Sequence, residues 1–88
     1  MADSKTSVKN ELIEIHSDTD VLVVKAEQQA GVSSELLYEI SEFKYDVAVA
    51  LADYSSITVE AINELRSEFK RLNQELLAAV ESATILLH

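Results

Sequence analysis

Eighty-eight residues with no cysteine, no proline, no tryptophan and one glycine make at most one small domain, with little room for a cavity enclosing substrate and cofactor together. Seven Lys and Arg against sixteen Asp and Glu leave a net charge of −9, a surface that repels phosphate backbones and anionic lipid and argues against direct nucleic-acid binding. Hydrophobic residues at 48% are too many for a disordered chain, and the lack of thiols removes disulfides, thiolate nucleophiles and sulfur metal sites.

Lys5 and Lys9 are followed by Asn10 and Glu11 rather than by an apolar leader segment. The longest apolar runs, 47–52 and 76–80, fall far short of the roughly 20 residues of a membrane span. The expected setting is the cytoplasm, or export without a cleavable signal peptide. The chain is expected to be a single small helical domain over 1–88, with residues 1–6 a polar, frayed tail.

Taken in chain order, the first apolar stripe is Leu12, Ile15, Thr19, Leu22, Ala26, Gln29, Ser33, Leu36, stepping by threes and fours as one face of a helix does. Residues 12–25 also carry a competing pattern. Leu12–His16 and Val21–Lys25, rich in β-branched side chains, flank the polar segment Ser17–Asp20 as the strands of a β-hairpin would. Helix is the first reading, with Ser17 or Asp18 available to cap and split it. Gly31, followed by Val32, Ser33, Ser34 and Glu35, predicts a helix end and a serine-capped restart, although the stripe keeps its phase across it.

The second stripe, Leu36, Ile40, Phe43, Val47, Ala50 and Tyr54, is flanked by Leu37, Lys44 and Leu51. A turn is predicted at about residues 53–57, with Ser55 or Ser56 capping the next helix and Glu60 and Glu64 near its positive end. From Ile62 the series Leu65, Phe69, Leu72, Leu76, Ala79, Ala83, Leu86 is the clearest signal in the chain. The fold class predicted is all-α: a helical hairpin or three-helix bundle with a long C-terminal helix. The alternative is an N-terminal β-hairpin at 12–25 followed by two helices.

Chemistry-bearing residues are sparse. His16 and His88 are the two histidines, and no nucleophile elbow, phosphate loop or zinc-protease motif is present. His16, Asp18 and Asp20 form the one compact polar set. A calcium loop starting at Asp18 would lack its turn glycine and place Gln29 where the terminal glutamate belongs, and one histidine with two carboxylates is an incomplete zinc set. The expectation is therefore no enzyme, no cofactor and no metal.

Surfaces carry more. Glu35, Glu39, Glu42, Asp46 and Asp53 step by four, three, four and seven along one side of the middle helix, a solvated face or a docking strip for a basic partner. Arg66, Lys70 and Arg71 stand among Glu64, Glu68 and Glu75, a mixed patch suited to pairing with the acidic strip of a second copy. Near the C-terminus Leu77, Val80 and Leu87 form a second apolar row beside Leu76 and Leu86, and Ile85 lies off both. A helix apolar on more than one face needs covering. Leu65, Phe69, Leu72, Leu76, Leu77, Val80, Leu86 and Leu87 are accordingly the expected partner or oligomer interface.

In length and helical-hairpin character the chain is similar to the small helical proteins of type VII secretion, and Tyr38–Glu42 has their Y-x-x-x-E spacing. Their W-x-G turn is missing, and no functional residue is carried over. Small type III secretion chaperones and needle-like subunits are similar in size and helicity to the same degree. The function expected is a non-enzymatic interaction or assembly module, that is, an adaptor, a bacterial secretion-associated chaperone or a small secreted or structural subunit. It would form homo- or hetero-oligomers or dock on a protein partner through apolar heptad seams. The alternative is an acidic inhibitor or nucleic-acid mimic that blocks a basic groove.

Overall fold

The computed structural model describes residues 4–29 and 31–87, with side chains described over 6–29 and 31–82. Among the described residues three helices follow one another, α1 (Ser4–Gln28), α2 (Ser34–Ala52) and α3 (Val59–Leu87), with one 3₁₀ turn at Tyr54–Ser56. No strand occurs among the described residues, so the N-terminal hairpin alternative falls.

The reason lies at Thr19. It sits in the middle of the polar segment expected to form the hairpin turn, yet it is fully buried, with its hydroxyl donating to the Ile15 carbonyl oxygen at 2.6 Å. Leu12, Ile15, Leu22 and Ala26 are buried with it. Burying this stripe against two neighbours outweighs the β-propensity of Ile13, Val21 and Val24, which point outward. Neither Ser17 nor Asp18 interrupts α1. The helix also takes in residues 4–6 of the tail expected to fray. Two contacts anchor its first turns: Val8 packs on the core, and the Lys9 ammonium lies 5.3 Å from the centre of the Tyr54 ring.

Gly31 ends the first helical segment as expected. Its φ of 88° is the left-handed conformation that glycine adopts without steric cost. Ser33 then caps α2, its Oγ accepting from the Leu36 N–H at 3.1 Å, with Glu35 in the first turn. The cap of α3 is Thr58 rather than Ser55 or Ser56: the Ala61 N–H donates to Thr58 Oγ1 at 3.1 Å. The two serines are used up in the 3₁₀ turn, where Ser56 Oγ donates to Asp53 Oδ1 at 3.3 Å. Ile57 is extended and half-buried against the core. It stands five residues before Ile62, the spacing of a hydrophobic staple, so the helix starts only beyond it.

The core runs along the shared axis of the bundle. Leu36, Ile40, Phe43, Val47 and Ala50 from α2 meet the α1 stripe and Ile62, Leu72 and Leu76 of α3. The Phe43 and Phe69 rings, 6.4 Å apart and tilted by 40°, join α2 to α3 across it. The bundle is slender, 56 × 17 × 17 Å. α1 and α3 run the same way, and the Glu11–Arg66 pair fixes their offset at 55 residues. That offset brings the end of α1 level with about residue 83, while the Glu39–Arg71 pair brings the start of α2 level with about residue 76. The last turns of α3 thus run past both neighbours.

A candidate docking groove between α2 and α3

Of the acidic strip, Glu39, Glu42 and Asp46 line the flank of α2 that turns toward α3, and Lys44 lies on the other flank, 3.6 Å from Asp20 of α1. α2 itself therefore places no positive charge within the strip. Because α2 and α3 are antiparallel, it runs opposite Glu64 and Glu68 of α3. Between them opens a groove of about 480 Å³. Its floor is apolar: Phe43 and Ala50 from α2, Ile57 from the connection, Ala61 and Leu65 from α3. Its walls are acidic on both sides, with Glu39, Glu42 and Asp46 on one and Glu64 and Glu68 on the other, and Tyr38 stands exposed at its mouth.

Among the described residues one cation serves this region. The Arg71 guanidinium donates to Glu68 through Nε (3.2 Å) and Nη2 (2.5 Å), to Glu39 through Nη2 (3.4 Å), and to Glu75 through Nη1. Hydrogen bonding from Arg71 holds the Glu68 carboxyl below the usual carboxylate range, against a smaller opposing effect of burial, and the guanidinium is held protonated in return. Arg71 closes the end of the groove near Tyr38. Beyond it Glu42, Asp46 and Glu64 have no cationic partner among the described residues. Glu35 and Asp53 lie past the two ends, Asp53 tied into the connecting turn.

The expected apolar interface divides differently from its sequence reading. Leu72 and Leu76 are buried inside the chain's own core. Leu65 and Phe69 are half-buried against that core. Leu77 is 54% exposed, and Val80 is half-buried. The side chains of Ile85, Leu86 and Leu87 lie outside the described residues. The mixed patch is also largely committed within one chain: Arg71 as above, and Arg66 to Glu11 at 2.7 Å. The other wall of the groove, Glu64 and Glu68, is absent from the sequence-derived strip. Their four-residue spacing was the available signal, but it read as pairing with neighbouring bases.

A second groove, between α1 and α3, is smaller, about 350 Å³. Glu14 and Asp18 face Arg66 and Lys70 across Ile15, Phe69 and Asn73, so opposite charges meet there. His16 Nδ1 and Asp20 lie 3.6 Å apart on the flank toward α2, while Asp18 lines the opposite flank. The three polar residues of the sequence motif do not converge, and no group of three potential metal ligands gathers among the described residues. No described helix is long and apolar enough to cross a membrane. Comparison with protein-family models, curated proteins and solved structures finds no match.

Proposed function

We propose that this chain is a non-enzymatic protein-interaction module that docks a basic partner protein in the α2–α3 groove. The observation that carries the reading is like charge on both walls over an apolar floor, with one guanidinium for the whole region. Such a groove gains twice from a cationic, partly apolar partner: apolar area leaves water, and repulsion between the walls is relieved. An adaptor or chaperone role fits this chemistry. Polyanion mimicry, the competing reading, has no use for the floor. The test is a titration of the isotope-labelled protein with a peptide of lysine and leucine, followed by amide NMR. Shifts concentrated at Ala50, Ile57, Ala61 and Leu65, and persisting in moderate salt, are expected. Shifts spread over every acidic surface and abolished by salt would favour mimicry instead.

Self-association is a second reading, supported by exposed Leu77 on the stretch of α3 that outlasts α2. Light scattering at two concentrations tests it through the mass in solution; a constant monomer mass removes it.

A further inference from the structure

The occupant of the groove can be specified further, on the premise that the docking reading holds. We infer that it is an amphipathic basic helix from a different protein, laid along the groove as a fourth helix of the bundle.

Length is the first argument. The lining on α2 runs from Tyr38 to Ala50, about 18 Å at 1.5 Å per residue, which matches roughly three helical turns. The second argument is the placing of charge. Acids stand on both rims, Glu42 and Asp46 on one and Glu64 and Glu68 on the other, with the apolar row between them. An occupant must therefore carry cations on both sides of a central apolar row. A helix does this, with apolar residues at three- and four-residue spacing and Lys or Arg flanking them. A strand sends alternate side chains to opposite faces, so its cations would point to solvent whenever its apolar side chains entered the floor.

A second copy of this chain does not fit. Among its seven basic residues, Arg66, Lys70 and Arg71 are interleaved with Glu64, Glu68 and Glu75, and two of those three are paired within their own chain. Lys44 is paired with Asp20 of its own chain, Lys25 lies on α1 away from the other basic residues, and Lys9 covers Tyr54. Two copies at −9 each also repel.

The experiment uses three synthetic peptides of about 14 residues. The first has leucine at helical spacing with lysine on both flanks. The second has the same composition in strict alternation. The third keeps the lysines and replaces leucine by serine. Each is titrated by fluorescence anisotropy into the unaltered chain, into Asp46→Asn/Glu64→Gln, and into Glu14→Gln/Glu27→Gln, a control of identical net charge. Tightest binding is expected for the helical-period peptide, with helicity gained on binding by circular dichroism. The groove variant should weaken it about tenfold and the control less than about twofold.

If the alternating peptide binds as tightly and with the same dependence on Asp46 and Glu64, the helical occupant is overturned while the docking groove stands. Should no peptide distinguish the groove variant from the control, the docking reading itself fails.

Discussion

The two grooves that flank α3 draw on similar residues and reach opposite electrostatic states. Toward α1, Glu11 meets Arg66, and Glu14 and Asp18 look across at Arg66 and Lys70. Toward α2, acids look across at acids, and Arg71 alone relieves one end. Both seams close over the same core, so packing does not require the difference. A sequence shaped by stability alone would have no reason to keep Glu42, Asp46, Glu64 and Glu68 together, and places where local rules are broken without a stabilising return are where function is to be sought.

The sharpest way to separate the grooves acts on their floors. Phe43, beneath the α2–α3 groove, is buried, whereas Phe69, beneath the α1–α3 groove, is half-buried. Phe43→Ala is expected to cost about 3–4 kcal/mol and Phe69→Ala distinctly less, measured as urea midpoints by circular dichroism. Equal losses would mean that burial in the isolated chain does not distinguish the two rings, and this contrast between the floors would fall.

Charge reversal on the walls should give effects of opposite sign. Asp46→Lys turns an acid-on-acid crossing into an attractive one and is expected to stabilise the isolated chain by about 0.5 kcal/mol, while Glu14→Lys, beside Arg66 and Lys70, destabilises it by a similar amount. Thermal melts at low and high salt check this, since both effects shrink as salt rises. A destabilising Asp46→Lys would show that the acids are already balanced within the monomer.

The smallest effect expected is that of acid. The Glu68 carboxyl is held below its ordinary range by Arg71, so its contribution is fully present above the unfolded carboxylate pKa and is lost as pH falls through the lowered folded value. Relative to Arg71→Gln, the unaltered chain should lose its small advantage on acidification from neutral pH. The change in the Tm difference should be no more than about 2 °C, because Glu68 and Arg71 both remain largely in water. An advantage that persists at low pH would place the role of Arg71 elsewhere than in its pairing with Glu68.

Much of the fold was legible because the three–four stepping names the buried face directly. Leu36, Ile40, Phe43, Val47 and Ala50 are all buried, and Gly31 with Ser33 marks the first break. Ser55 and Ser56 precede Thr58 and offer the same cap chemistry in the sequence, and only the packing of Ile57 shows why the helix waits. Residues 12–25 were ambiguous because β-branched content and helical spacing coexist there, and tertiary burial decides between them. The acidic strip on α2 was visible from spacing within one helix. Its opposing wall was not: that Glu64 and Glu68 meet Glu42 and Asp46 depends on which flank of α3 turns toward α2 and at what offset. Spacing within a single helix carries neither quantity.

The groove floor is not level. Ala50 and Ala61 stand at almost the same height along the bundle, with Ile57 on one side and Phe43 and Leu65 on the other. Two methyl groups thus stand between bulkier neighbours along the row. On the docking reading, a bound segment's largest side chain would find most room at the two alanines, so that steric fit would set where along its length the segment comes to rest.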